Sequence, residues 1–137
     1  MNLCRKHILL VDDEEAFLQC VSAGLKDSDD EFEIFTAENG KMALEVFRNG
    51  TAIDLLVTDL NMPEMSGFEL LAFINKNFPA TRAILLTGLI TSEIEEHLKT
   101  IGDYVCIDKT VGFRELRRRI RDELRPSSAS GEKRHGG

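Results

Sequence analysis

The sequence predicts a single α/β domain built on a five-stranded parallel sheet, and three observations lead there. Five short β-rich runs alternate with longer segments of helical period, the pattern of β-α units. Three of the runs are almost wholly apolar, as strands covered on both faces must be. Acids, a threonine and a lysine stand where those runs end, the side of an open parallel sheet on which ligands sit.

The predicted strands are residues 8–11, 33–37, 55–58, 83–86 and 104–107, of which the first, third and fourth are the apolar ones. After the first strand, Phe17, Val21 and Leu25 recur every four residues and mark one buried helical stripe. Asn39-Gly40, Asn49-Gly50 and Asn77-Phe78-Pro79 punctuate turns. Ile94, Leu98 and Ile101 mark a further helix before the last strand, and Phe113, Leu116, Ile120 and Leu124 a helix after it. Residues 1–125 are therefore read as one domain, and 126–137, PSSASGEKRHGG, as a disordered tail or the start of a linker. Met1 shortly before the first strand suggests a domain that begins its parent protein.

With 137 residues and 42% hydrophobic content, the chain can bury a core. The formal charge of −7 argues against general affinity for nucleic acid or anionic membrane. That charge is uneven: residues 1–110 carry a net −11, whereas residues 111–125 hold six arginines and a net +3. The arginines, Arg114, Arg117, Arg118, Arg119, Arg121 and Arg125, read either as a solvated helix face or as a docking surface for an acidic partner or a second copy. DNA binding by this helix alone is not expected, because no helix-turn-helix follows it. Cys4, Cys20 and Cys106 lack metal or disulfide spacing, which points to a reducing, cytoplasmic setting. No apolar run is long enough to span a bilayer. His7, His97 and His135 lack paired ligand spacing.

The first strand leads into Asp12-Asp13, the third into Asp59, the fourth into Thr87 and the fifth into Lys109. Any one of these could be a helix cap. Together they suggest a site, because three converging carboxylates repel unless a cation neutralises them, and all-oxygen ligation suits Mg²⁺. One carboxylate could then attack phosphorus, with Thr87 and Lys109 meeting the phosphoryl oxygens.

The stretches ILLVDDEE (8–15), AENGKMALE (37–45), DLLVTDLNMPEMSGFELL (54–71), AILLTG (83–88) and CIDK (106–109) resemble the response-regulator receiver family over roughly residues 5–125. The third stretch is the most specific. The resemblance implies a flavodoxin-like, doubly wound (βα)5 fold with strand order 2-1-3-4-5. It implies Asp59 as phosphoacceptor, Mg²⁺ bound by Asp13 and Asp59 directly, by Asp12 largely through water and by the backbone carbonyl of Asn61, and roles for Thr87 and Lys109 at the phosphoryl group. It further implies a signalling switch rather than a turnover enzyme, with a histidine kinase or histidine phosphotransfer protein as donor. An output domain, or a homodimer through the last helices, would then receive the signal. Gly67 is expected to supply unusual backbone angles where the Asp59 loop enters the next helix, and Gly88 to leave space beside the acceptor.

Two positions depart from the family pattern. Family members mostly follow the lysine with a cis proline, whereas Thr110 stands here, so a trans bond and an altered loop are expected. Cys106 occupies the place of the inward-swinging aromatic, which weakens the usual coupling across the switch residues Thr87, Gly88 and Cys106; Tyr104 could replace it only with a register change. These departures leave open a degenerate receiver that works as an interaction module without phosphate. A haloacid-dehalogenase-like phosphatase needs D-x-D, but Asn61 stands two residues after Asp59, and no glycine-rich nucleotide loop is present.

Overall fold

The computed structural model describes residues 5–26 and 31–125, so Cys4, His135 and the segment 126–137 lie outside the described residues. Ten elements alternate: β1 (Lys6–Val11), α1 (Glu15–Leu25), β2 (Phe32–Ala37), α2 (Gly40–Arg48), β3 (Leu55–Asp59), α3 (Gly67–Asn77), β4 (Arg82–Thr87), α4 (Ser92–Ile101), β5 (Val105–Asp108) and α5 (Phe113–Leu124). All strand pairings are parallel, in the order β2-β1-β3-β4-β5. The expected doubly wound α/β architecture is thus the observed one.

Side chains alternate across the pleat, so each strand feeds two cores. Leu9, Val11, Leu56, Ala83 and Leu85 pack with α2, α3 and α4 on one face. Ile8, Leu10, Leu55, Val57, Ile84, Leu86 and Ile107 pack with α1 and α5 on the other. Both faces being dry explains why β3 is buried at every position and why the sequence there has no polar alternation.

Helix starts follow local chemistry. The Asn39 side chain accepts from the Met42 N–H to open α2, and Thr91 accepts from Ile94 to open α4. Ser66 and Glu69 form a reciprocal capping box that starts α3 directly after the loop from Asp59.

Several expectations change. Asp59 and Thr87 are the last residues of their strands rather than the first beyond them, and β5 begins at Val105, one residue later than expected. Gly67 does not use a positive φ; among the described glycines only Gly50 does. It is needed because a β-carbon there would overlap the carbonyl oxygen of Asp59 and the side chain of Leu85. Phe113 is not a core residue of the α5 stripe: it is 42% exposed and lies over Gly24 of α1. Most of the α5 arginines have partners, some on α5 itself and some on other segments. Arg118 pairs with Glu115 and Asp122, Arg125 with Asp122, Arg121 with Glu31, and Arg117 donates to the Gly24 carbonyl.

Candidate functional site

The parallel sheet brings the ends of β1, β3, β4 and β5 to one edge. There, carboxylate oxygens of Asp12, Asp13 and Asp59 lie within 4.8 Å of one another. Asp12 and Asp59 are buried at 1% and 7% exposure, while Asp13 is exposed, so the cluster is anchored inside and opens to solvent on one side.

Lys109 reaches into this cluster. Its ammonium is 2.8 Å from Asp12 Oδ2, 3.4 Å from Asp59 Oδ1 and 3.4 Å from Glu14 Oε1. The other oxygen of Asp12, Oδ1, accepts from the Glu14 N–H at 2.9 Å. Although Oδ2 is at ion-pair distance from the lysine, it lies off hydrogen-bond alignment and is a buried oxygen with an open acceptor position.

The electrostatics agree with that geometry. Burial first, and then the charge of Asp12, push the Asp59 carboxyl above its ordinary range, with Lys109 and the Leu60 N–H only partly opposing them. Burial alone would lower the Lys109 pKa, but attraction to the charges of Asp12 and Asp59 holds its ammonium above the ordinary value. Lys109 therefore meets three carboxylates, those of Asp12, Asp59 and Glu14, and Asp13 adds a fourth to the cluster. A hard divalent ion with oxygen ligands fits this donor set, because it would fill the open position at Asp12 and relieve the repulsion on Asp59.

Thr87 is buried at 3% exposure on the flank toward α4. Its carbonyl accepts the Lys109 N–H at 2.8 Å, so the backbones of the two residues are joined. A β-carbon at Gly88 would meet nothing within 4 Å. Asn61 is exposed two residues beyond Asp59.

Among the described residues there is no cis peptide bond, so Lys109-Thr110 is trans, as expected for threonine. The loop is shaped instead by Asp108, whose Oδ1 accepts from the Thr110 N–H at 2.8 Å and the Thr110 hydroxyl at 2.7 Å.

Cys106 is half-buried on the α4 side. Tyr104 precedes β5, and Cys106 already pairs with Leu85, two residues below Thr87, so the tyrosine stands farther still from the site. Its hydroxyl donates to Asn75 of α3. No register change brings Tyr104 to the switch position.

Sequence reasoning missed two contributors to the lysine's surroundings. Glu14 was one more acid in an acidic run, and Phe17 one more apolar residue in a helical stripe. Only their closeness to Asp12-Asp13 could have marked them.

Comparisons with known proteins show what the chain as a whole is similar to. A family model described as "Response regulator receiver domain" matches residues 8–121. The chain is 33% identical over 130 residues to the transcriptional regulatory protein GlrR of Escherichia coli, covering 93% of this chain but 28% of that protein. It is 35% identical over 126 residues to a probable cyclic di-GMP phosphodiesterase of Vibrio cholerae, covering 90% of this chain and 27% of that one. The chain thus spans less than a third of either relative. Among solved structures, the chemotaxis protein CheY4 of Vibrio cholerae superposes with a TM-score of 0.81 at 27% identity, covering 88% of this chain and all of that one. The signal receiver domain of an HD domain-containing protein from Pseudomonas fluorescens gives 0.80 at 27% identity, covering 98% of this chain and 100% of that one.

Proposed function

Because the chain belongs to the response regulator receiver domain family of two-component signalling, we propose that Asp59 is its phosphoacceptor and that the acyl phosphate formed there drives a conformational switch. A histidine kinase or histidine phosphotransfer protein presents phosphohistidine. An Asp59 carboxylate oxygen bonds to phosphorus while the P–N bond breaks, its electron pair remaining on the departing imidazole. The observation that carries this reading is the convergence of three acids within 4.8 Å, with Lys109 3.4 Å from the buried Asp59.

Asp12, Asp13, Asp59 and the Asn61 carbonyl would hold Mg²⁺, which when bound supplies the positive charge that keeps Asp59 ionised and offsets charge on the phosphoryl oxygens. Lys109 places a second positive charge at those oxygens, and the Thr87 hydroxyl donates to one of them. Moving toward the phosphoryl group, Thr87 pulls the β4–α4 connection through Gly88 and biases the face read by an output domain or a second copy. The domain promotes only its own phosphorylation and hydrolysis, and it acts in the cytoplasm.

Phosphotransfer from a phosphorylated histidine donor tests this directly. Wild-type protein takes the label in Mg²⁺ and Asp59→Asn does not; equal labelling of the two ends the proposal.

One observation favours a second reading, an interaction module that works without phosphate. Cys106 offers too little volume to couple to Thr87, and Tyr104 is out of reach. If beryllofluoride with Mg²⁺ leaves the amide spectrum of the protein unchanged, the second reading replaces the first.

A further inference from the structure

Lysine carries its charge on a flexible four-carbon stem, so a lysine that must meet a small target needs restraint at both ends. The backbone end of Lys109 is held by its N–H bond to Thr87 and by the turn that brackets it, in which Asp108 accepts from Thr110. The charged end is pulled three ways, by Asp12, by Asp59 and by the exposed Glu14, which could draw it off toward solvent. What stands against that pull is an aromatic ring. The ammonium lies over Phe17, 4.6 Å from the ring centroid and within the range at which a cation is attracted to a π face. Phe17 is only half-buried, whereas Val21 and Leu25 of the same stripe are buried, so it borders the site more than it fills the core.

We propose that Phe17 is a positioning residue that holds the Lys109 ammonium toward Asp12 and Asp59, so that the side chain stays aimed although Thr110 follows it. Its functional half rests on the role proposed for Lys109; the contact itself does not.

The test uses the full chain with Phe17→Leu, which keeps apolar bulk without a ring, and Phe17→Tyr, which keeps the ring. In metal-free protein, ring current moves the Lys109 ε-methylene protons upfield; Phe17→Leu removes that shift and Phe17→Tyr retains it. With Mg²⁺, Phe17→Leu weakens beryllofluoride binding about two- to fivefold, and Phe17→Tyr restores it. In a Lys109→Met background, Phe17→Leu has no further effect. An unchanged methylene shift in Phe17→Leu, equal weakening in both aromatic and aliphatic variants, or the same loss with and without Lys109 overturns the proposal. If the wild type binds no beryllofluoride, the phosphoacceptor reading fails, and the methylene shift still decides whether Phe17 holds the lysine.

Discussion

The two flanks of the acidic site are built differently. On the α1–α5 flank, the Lys109 ammonium lies against Asp12, Asp59, Glu14 and the Phe17 ring, and the helices behind it are tied down. α5 buries Leu116 and Ile120, and Arg117 links it to the α1 carbonyl of Gly24. On the α4 flank, Gly88 faces open space, Leu89 is 70% exposed, and Leu98 is the one fully buried residue of α4. Under the proposed function such an asymmetry is useful, because reactive groups would be held still on the tight flank while the slack one responds.

Truncating the anchor of each flank probes this contrast most severely. Ile120→Ala is expected to cost about 4 kcal/mol and Leu98→Ala about 2 kcal/mol in urea unfolding, since the thinly buried α4 can settle around the lost volume. In Leu98→Ala, hydrogen exchange should accelerate at α4 amides while β1 and β3 stay protected. Equal costs, or uniform acceleration across the sheet, would mean that the flanks are equally firm.

Filling the acidic site should add stability on a similar scale. Mg²⁺ at about 100 times its Kd is expected to stabilise the wild type by about 2.7 kcal/mol, seen as a rise in melting temperature. Asp13→Asn should lose most of that rise, and Thr87→Ala, on the other flank, should keep it. A full Mg²⁺ response in Asp13→Asn would remove Asp13 as a ligand.

Smaller effects of opposite sign are expected at two glycines. Gly67→Ala sets a β-carbon against the Asp59 carbonyl and should cost about 1–3 kcal/mol. Gly88→Ala meets nothing and does not carry a positive φ, so it should gain about 0.4–1 kcal/mol by restricting the unfolded chain. Thermal melts of the pair check both signs; a loss at Gly88 would show that the slack flank is more crowded than its surroundings imply.

The fold was legible because burial on two faces writes strands as apolar runs, and residues 8–11, 55–58 and 83–86 carry that mark plainly. The acids were legible too, since a parallel sheet puts every strand's carboxyl end on one edge. What surrounds Lys109 was not. Phe17 shares its spacing with Val21 and Leu25, and no periodicity reveals which member of a stripe meets a cation rather than a core. The Asp108 turn escaped because threonine after lysine was read only as the absence of proline, although its N–H and hydroxyl supply bonds that proline cannot make. Arg117 and Arg121 looked like part of a free basic stripe because their partners, Gly24 and Glu31, are far away in sequence.

The mildest probe reads the slack flank without altering its packing. Cys106 is half-buried on the α4 side, and burial first, then the charges of Glu95 and Asp108, push its thiol above the ordinary range. Cys20 is exposed on α1. Since the thiolate is the nucleophile, iodoacetamide should label Cys106 more slowly than Cys20 at pH 8, and the Cys106 rate should still climb as pH rises past the usual thiol range. Mass spectrometry of the separate cysteine peptides follows each rate. If response is confined to the α4 flank, beryllofluoride with Mg²⁺ changes the Cys106 rate and leaves Cys20 as it was. A change at Cys20 with Cys106 unmoved would put the slack on α1 and invert the assignment of the two flanks.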